Sequence, residues 1–243
     1  MQKQKKINFI LDTLKDSYLY CVVNTVYVYG SFFTSVSQTN SDIDILIIVN
    51  KKIEMLDLIE ISRITKFLAQ NDINTELNVL DNKFISLHKK NYWHNSRGLI
   101  FLEEIKKFGN CIHGNDILSN IKYTQADLYL ESRKIILSLI YNIQKNIVKI
   151  NIDKYDTRDI RRIIKFTCYI IHIMLFVYVP DEDLKKINYY NLFDVCFKFK
   201  IKAIQFLYFK RQKDLNLLDI QKLITDIFSF IKEIEEYIIN NEI

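Results

Sequence analysis

Two carboxylates, Asp42 and Asp44 in Asp42-Ile43-Asp44, open an apolar run from Ile45 to Val49. On a strand, residues two apart leave the same face. Two like charges so placed are unfavourable unless a cation lies between them. Mg²⁺, hard and oxygen-seeking, suits such a pair and keeps positions for water and phosphate oxygens. Upstream, the apolar run Thr25 to Tyr29 ends at Gly30-Ser31. Glycine permits close backbone approach, and N–H groups at a helix start, with the Ser31 hydroxyl, can hold phosphate. A metal ion and a phosphate cradle are the minimum apparatus for attack at a nucleotide α-phosphate. That attack needs a base for the incoming hydroxyl. Glu76, embedded in the otherwise apolar run Ile73 to Leu80, is the candidate. If strand three lies beside strand two, Glu76 stands within reach of Asp42 and Asp44 as general base, third metal ligand, or both. Each piece is ordinary alone: a lone Asp-x-Asp at a strand start is common, and a buried strand Glu is more often ion-paired than catalytic. The ordered combination carries the argument.

The elements that must position these residues follow from periodicity. Ile7, Ile10, Leu11 and Leu14 form a helical stripe within 3–18. Thr25–Tyr29 and Asp42–Val49 are strands, the second with Asp42, Asp44, Leu46 and Ile48 on one face and Ile43, Ile45, Ile47 and Val49 on the other. Met55–Gln70 is a helix with Leu58, Ile61, Ile64, Thr65 and Leu68 on one side; Ile73–Leu80 is a third strand, on which Glu76, Asn78 and Leu80 share a face. A helix reaching Lys107, with Leu99, Leu102, Ile105 and Phe108 at helical spacing, precedes a short edge strand at Asn110–His113. Beyond Thr124 only helices are expected, at 124–150, 157–178, about 192–210 and 216–240. The fold class is α+β: a first domain over 1–120 with a small mixed sheet, then an all-α helical bundle over 121–243.

Composition permits this plan. Apolar residues make up 49% of the 243, enough for a sizeable core, while 4 Gly and 1 Pro disfavour a loop-rich sandwich. The net charge of +5 allows an anionic ligand without requiring one. Cys21, Cys111, Cys168 and Cys196 form no CxxC pair and are flanked by apolar residues, which points to buried free thiols in a reducing cytoplasm. The basic N-terminus lacks an apolar signal core, and the longest nearly apolar run, Thr167 to Val179, is too short to span a bilayer. No membrane role is expected. His88, His94, His113 and His172 have no metal-ligand spacing, and no Walker loop or GxGxxG is present.

The strand, Gly30-Ser31, gap, Ser41-Asp42-Ile43-Asp44 and later Glu76 resemble the signature of nucleotidyltransferases of the DNA polymerase β superfamily. Within that group the chain is most similar to bacterial aminoglycoside adenylyltransferases of the streptomycin/spectinomycin type. The gap length, the glutamate in Thr75-Glu76-Leu77-Asn78-Val79 and the helical second half fit that type. The resemblance covers 25–80 well and the helical half in outline. It implies an N-terminal nucleotidyltransferase domain and Mg²⁺-dependent transfer of a nucleoside monophosphate, usually AMP from ATP, to a hydroxyl, with release of pyrophosphate. Many minimal members carry Ala-Arg-Gly after Gly-Ser, whereas this chain has Phe33-Thr34-Ser35. Phosphate charge must then be met elsewhere.

Arg158, Arg161, Arg162 and Lys165 fall at i, i+3, i+4 and i+7 on one helical face. In an enzyme of this type the helical domain closes the cleft and donates cations to the triphosphate; the alternative is a solvated basic face. A cationic acceptor would want carboxylates, and Asp127 with Glu131, or Asp153, Asp156 and Asp159, are available. Trp93 is either a stacking platform or interdomain packing. Three readings follow: a transferase for a small aminoglycoside-like acceptor, a toxin/antitoxin-type transferase acting on tRNA or a partner protein, and a non-catalytic nucleotide-binding module. The helical half holds no Arg-x4-His ribonuclease motif.

Overall fold

The computed structural model describes residues 2–30, 42–82, 98–150, 157–179, 189–203, 205–206 and 216–240. It divides into two compact units, Met1–Lys122 and Tyr123–Ile243. The first contains α1 (Gln2–Lys15), a 3₁₀ turn (Tyr18–Val22), β1 (Val23–Tyr29), β2 (Ile43–Val49), α2 (Met55–Gln70), β3 (Thr75–Asp81), α3 (Gly98–Phe108) and β4 (Asn110–Gly114). The second contains α4 (Gln125–Lys149), α5 (Thr157–Tyr178), α6 (Tyr189–Phe197) and α7 (Leu217–Asn240). The class is α+β.

The sheet order is β3-β2-β1-β4. β1 runs antiparallel to both β2 and β4, and β2 runs parallel to β3. A parallel pair needs a crossover, and α2 lies between its two strands in the chain. β2 is apolar on both sides because each side meets a different helix layer. Ile43, Ile45, Ile47 and Val49 pack with Ile7, Ile10 and Leu14 of α1 and Ile61, Ile64 and Leu68 of α2. Leu46 and Ile48 pack with Tyr27, Tyr29 and with Phe101, Leu102 and Ile105 of α3. Each such side chain contributes about 1.5–3 kcal/mol by burial.

The helical stripes hold with small rotations. On α2 the buried line is Asp57, Glu60, Ile61, Ile64 and Leu68, whereas Leu58 is exposed. It stands one position off that line, so the 100° step of the helix carries it to the outer side. On α3, Leu102 and Ile105 are buried together with Ile100 and Phe101, and Leu99 and Phe108 are half-buried.

Asp57 is buried because it serves three partners. Its carboxylate accepts from the Glu54 N–H (2.9 Å), closing the first turn of α2, and from Lys51 Nζ (2.7 Å) and the Tyr18 hydroxyl (3.1 Å). Burial alone would push the carboxyl up, but the Lys51 hydrogen bond, the Glu54 N–H and the Tyr18 hydroxyl outweigh it and hold it below the usual range. A depressed carboxylate stabilises the fold above its unfolded value, near 3.9, and that contribution is lost as pH falls through the folded value. Asp57→Ala is expected to cost about 2–3 kcal/mol at neutral pH in urea denaturation. The gap to the wild type should narrow below about pH 4, and an unchanged gap down to pH 3 would refute the role.

In the helical unit, Asp127 and Thr124 cap α4 reciprocally: Thr124 Oγ1 accepts the Asp127 N–H and Asp127 Oδ2 accepts the Thr124 N–H. Asp127 is thus engaged as a cap, as its place at a helix start favours. The expected helix at 192–210 is broken. α6 stops at Phe197, and Lys198 takes φ +52. The Lys200 N–H then donates to Glu233 Oε2 and the Ala203 N–H to Asp194 Oδ1, both at 2.6 Å. Side-chain carboxylates thus replace the carbonyl partners that a continuous helix would have supplied. The four cysteines are free, but only Cys168 is buried; Cys111 is half-buried, and Cys21 and Cys196 are exposed. Apolar sequence neighbours did not foretell this, because Cys21 sits in the 3₁₀ turn and Cys196 follows exposed Val195 on the outer side of α6. Among the described residues no helix is long and apolar enough to cross a membrane.

Candidate functional site

β1 ends at Tyr29, and Gly30 turns away with φ +74, a conformation that L side chains rarely adopt. A Cβ built at Gly30 would clash with Asp44 Oδ2 and lie 3.0 Å from its Cγ. The missing side chain therefore lets the Asp44 carboxylate lie against the turn. Asp44 is half-buried. It pairs with Tyr29 on one side and with Glu76 on the other, so the three residues stand abreast across β1, β2 and β3 on one face. Farther along that face come Tyr27, Leu46 and Ile48, packed against α3. The face is thus apolar at one end and polar at the other, which places the carboxylates where the core stops.

Asp42 is exposed and lies one residue before β2. The strand begins at Ile43, whose N–H donates to the Asn74 carbonyl at 2.9 Å, rather than at Asp42 as expected. Glu76 is exposed, not buried. β3 is an edge strand among the described residues, and Glu76 lies at the polar end of the face, so its carboxylate keeps its water and needs no ion pair.

The neighbourhood also holds a pair that sequence reasoning did not assign. Asn78 Nδ2 donates to the Tyr29 hydroxyl at 2.8 Å and lies 3.4 Å from Glu76 Oε1. Tyr29 is 2% exposed and meets Phe101 edge-on at 5.3 Å. The period-two rule already puts Asn78 on the face of Glu76. Tyr29 gives no sequence signal, because its partnership spans two strand spacings.

Whether these residues suit Mg²⁺ turns on the donor set. Asp42, Asp44 and Glu76 offer only carboxylate oxygens, the ligands that this ion prefers. Among the described residues no group of three or more His, Cys, Asp or Glu is placed to hold a metal, so the three do not form a ready-made cage. Mg²⁺ does not call for one, since one or two carboxylates plus substrate phosphates usually hold it. Asp44, lying against the Gly30 turn, and its strand neighbour Glu76 offer that number. A hollow of about 320 Å³ lined by Thr13, Asp16, Arg63, Ile64 and Phe67 belongs to α1 and α2, on the opposite side of the sheet, and is remote from this chemistry.

Arg158, Arg161, Arg162 and Lys165 are exposed along one face of α5, while Ile160, Ile163, Ile164, Cys168, Ile171 and Leu175 are buried on the other. Arg162 Nη1 lies 3.7 Å from Asp159 Oδ1, so one acceptor candidate already faces a cation. Ser31, the Phe33-Thr34-Ser35 segment, His88, Trp93, His94, Asp153 and Asp156 lie outside the described residues.

Residues 5–116 match the model of the family described as Polymerase beta, Nucleotidyltransferase. No curated protein matches the chain. Among solved structures, spectinomycin adenyltransferase AAD(9) from Enterococcus faecialis, crystallised with ATP and spectinomycin, is similar at a TM-score of 0.50 and 17% identity. That likeness covers 93% of this chain and 98% of that one, and at such identity it is one of fold. A toxin-antitoxin structure with AMP-PNP reaches a TM-score of 0.31 at 19% identity, covering 57% of this chain and 89% of that one. That similarity is too slight to bear on the fold. The segment that places Gly30, Asp42, Asp44 and Glu76 thus lies within the match to the polymerase β nucleotidyltransferase model over residues 5–116.

Proposed function

We propose that the protein transfers a nucleoside monophosphate, AMP from ATP, to a hydroxyl of a small aminoglycoside-like molecule in the cytoplasm, where it would confer antibiotic resistance. The observation that carries the reading is Asp44 and Glu76 side by side on parallel strands, with Asp44 against the Gly30 turn. In this reading Asp42 and Asp44 hold Mg²⁺, with Glu76 as a further oxygen ligand or as base. When bound, the ion supplies charge for the triphosphate oxygens and the developing negative charge. Gly30 and Ser31 hold phosphate through backbone N–H groups and a hydroxyl. Glu76, exposed and therefore reachable, takes the proton of the acceptor hydroxyl. That oxygen bonds to the α-phosphorus, and the bond from the α-phosphorus to the bridging oxygen breaks, so pyrophosphate leaves with the electron pair. Arg158, Arg161, Arg162 and Lys165, on the helical domain, are the proposed source of the positive charge that the Gly30-Ser31 turn lacks.

Support for ATP and for a spectinomycin-like acceptor comes from the fold shared with AAD(9). The test is α-labelled ATP and Mg²⁺ incubated with an aminoglycoside panel, total tRNA or the protein alone. Label is expected in one aminoglycoside. Label in tRNA or protein would replace the acceptor class. No label anywhere, with no Mg²⁺-dependent ATP binding by calorimetry, would leave only a non-catalytic module.

A further inference from the structure

We propose that Asn78 is a positioning residue for Glu76 and that Tyr29 holds Asn78 in place; this rests on reading Glu76 as the base. The geometry is a chain of three side chains on one face of the sheet. Tyr29 is on β1 and Asn78 on β3, with β2 between them. Neighbouring strands are about 4.8 Å apart, so the Tyr29 side chain must lie across β2 for its hydroxyl to meet Asn78. It can do so because the ring is packed on Phe101 and almost fully buried, which leaves the hydroxyl a fixed point.

Asn78 Nδ2 carries two hydrogens. One is donated to the Tyr29 hydroxyl at 2.8 Å. The same nitrogen lies 3.4 Å from Glu76 Oε1, at the long end for a hydrogen bond, as catalytic contacts often are before substrate binds. The amide orientation is dictated by its partners. Turned over, Asn78 Oδ1 would face a carboxylate oxygen, two acceptors in contact. Glu76 is exposed and has room for several rotamers. A donor held by a buried tyrosine selects one of them, and a base needs its carboxylate held in one place.

The test has two readouts. In the full-length ¹⁵N-labelled protein without nucleotide, the Asn78 side-chain amide signals are compared in wild type, Tyr29→Phe and Glu76→Gln. Both variants are expected to shift them by more than a linewidth; signals unmoved in Glu76→Gln would overturn the proposal. In α-labelled ATP transfer to spectinomycin, Asn78→Ala should lower kcat about tenfold, with the KM for ATP within about twofold. Asn78→Asp keeps the shape but replaces the donor with a like charge, and it should lose at least as much. In a Glu76→Gln background, Asn78→Ala should cost nothing further. An equal loss in that background, or a change in KM alone, would overturn the proposal. If the wild type labels no acceptor, the transferase reading fails, while the amide signals still decide whether Asn78 and Tyr29 hold Glu76.

Discussion

Asp44→Asn is expected to reduce nucleotide transfer by at least about a thousandfold, equivalent to roughly 4 kcal/mol of lost transition-state stabilisation. The substitution keeps the volume and the place in β2, so the neighbours Tyr29, Gly30 and Glu76 stay where they are. What disappears is the negative charge beside the turn, and with it one of the carboxylates proposed to hold Mg²⁺. Mg²⁺-dependent ATP binding should weaken in parallel. The measurement is transfer rate and calorimetric ATP binding, with circular dichroism confirming a folded chain. Activity within tenfold of wild type in a folded Asp44→Asn protein would sink the metal assignment.

Glu76→Gln is expected to behave differently. Loss of a general base costs about 10²–10⁴-fold in kcat. Because Glu76 is exposed on an edge strand, fold stability should change little. If the residue is only the base, Mg²⁺-dependent ATP binding survives in this variant while transfer collapses. If it also ligates the metal, both fall together, as in Asp44→Asn. Comparing the two variants in the same calorimetric titration therefore separates the two roles assigned to Glu76, and normal turnover by Glu76→Gln would remove both.

Much of this was legible in the chain because it follows from short-range patterns. The alternation in β2 predicted the two faces that the helices cover, and the α5 stripe separated its exposed cations from Ile160, Ile163 and Ile164. Glu76 beside Asp44 was legible only as a condition, that strand three neighbour strand two; the parallel pairing meets it. Other features depend on contacts far apart in sequence. Glu233 accepts from Lys200 across a turn that no local propensity announces, so the break after Phe197 was not foreseen. Tyr29 reaches Asn78 over an intervening strand. The exposure of Glu76 depended on strand order, since the same sequence in a central strand would bury it.

The double-sided burial of β2 has a consequence for folding. A strand whose hydrophobic residues all point one way is kept from slipping by that alternation, because a one-residue slip turns its apolar set to water. Ile45, Leu46, Ile47, Ile48 and Val49 are apolar on both faces, so a slip here would trade one greasy side chain for another. Asp44 is the exception. Displaced by one residue, its carboxylate would enter the layer held by Ile10, Ile61 and Ile64, where an unpaired charge costs several kcal/mol. The carboxylate proposed to do the chemistry is thus also what tells the strand where to stop sliding.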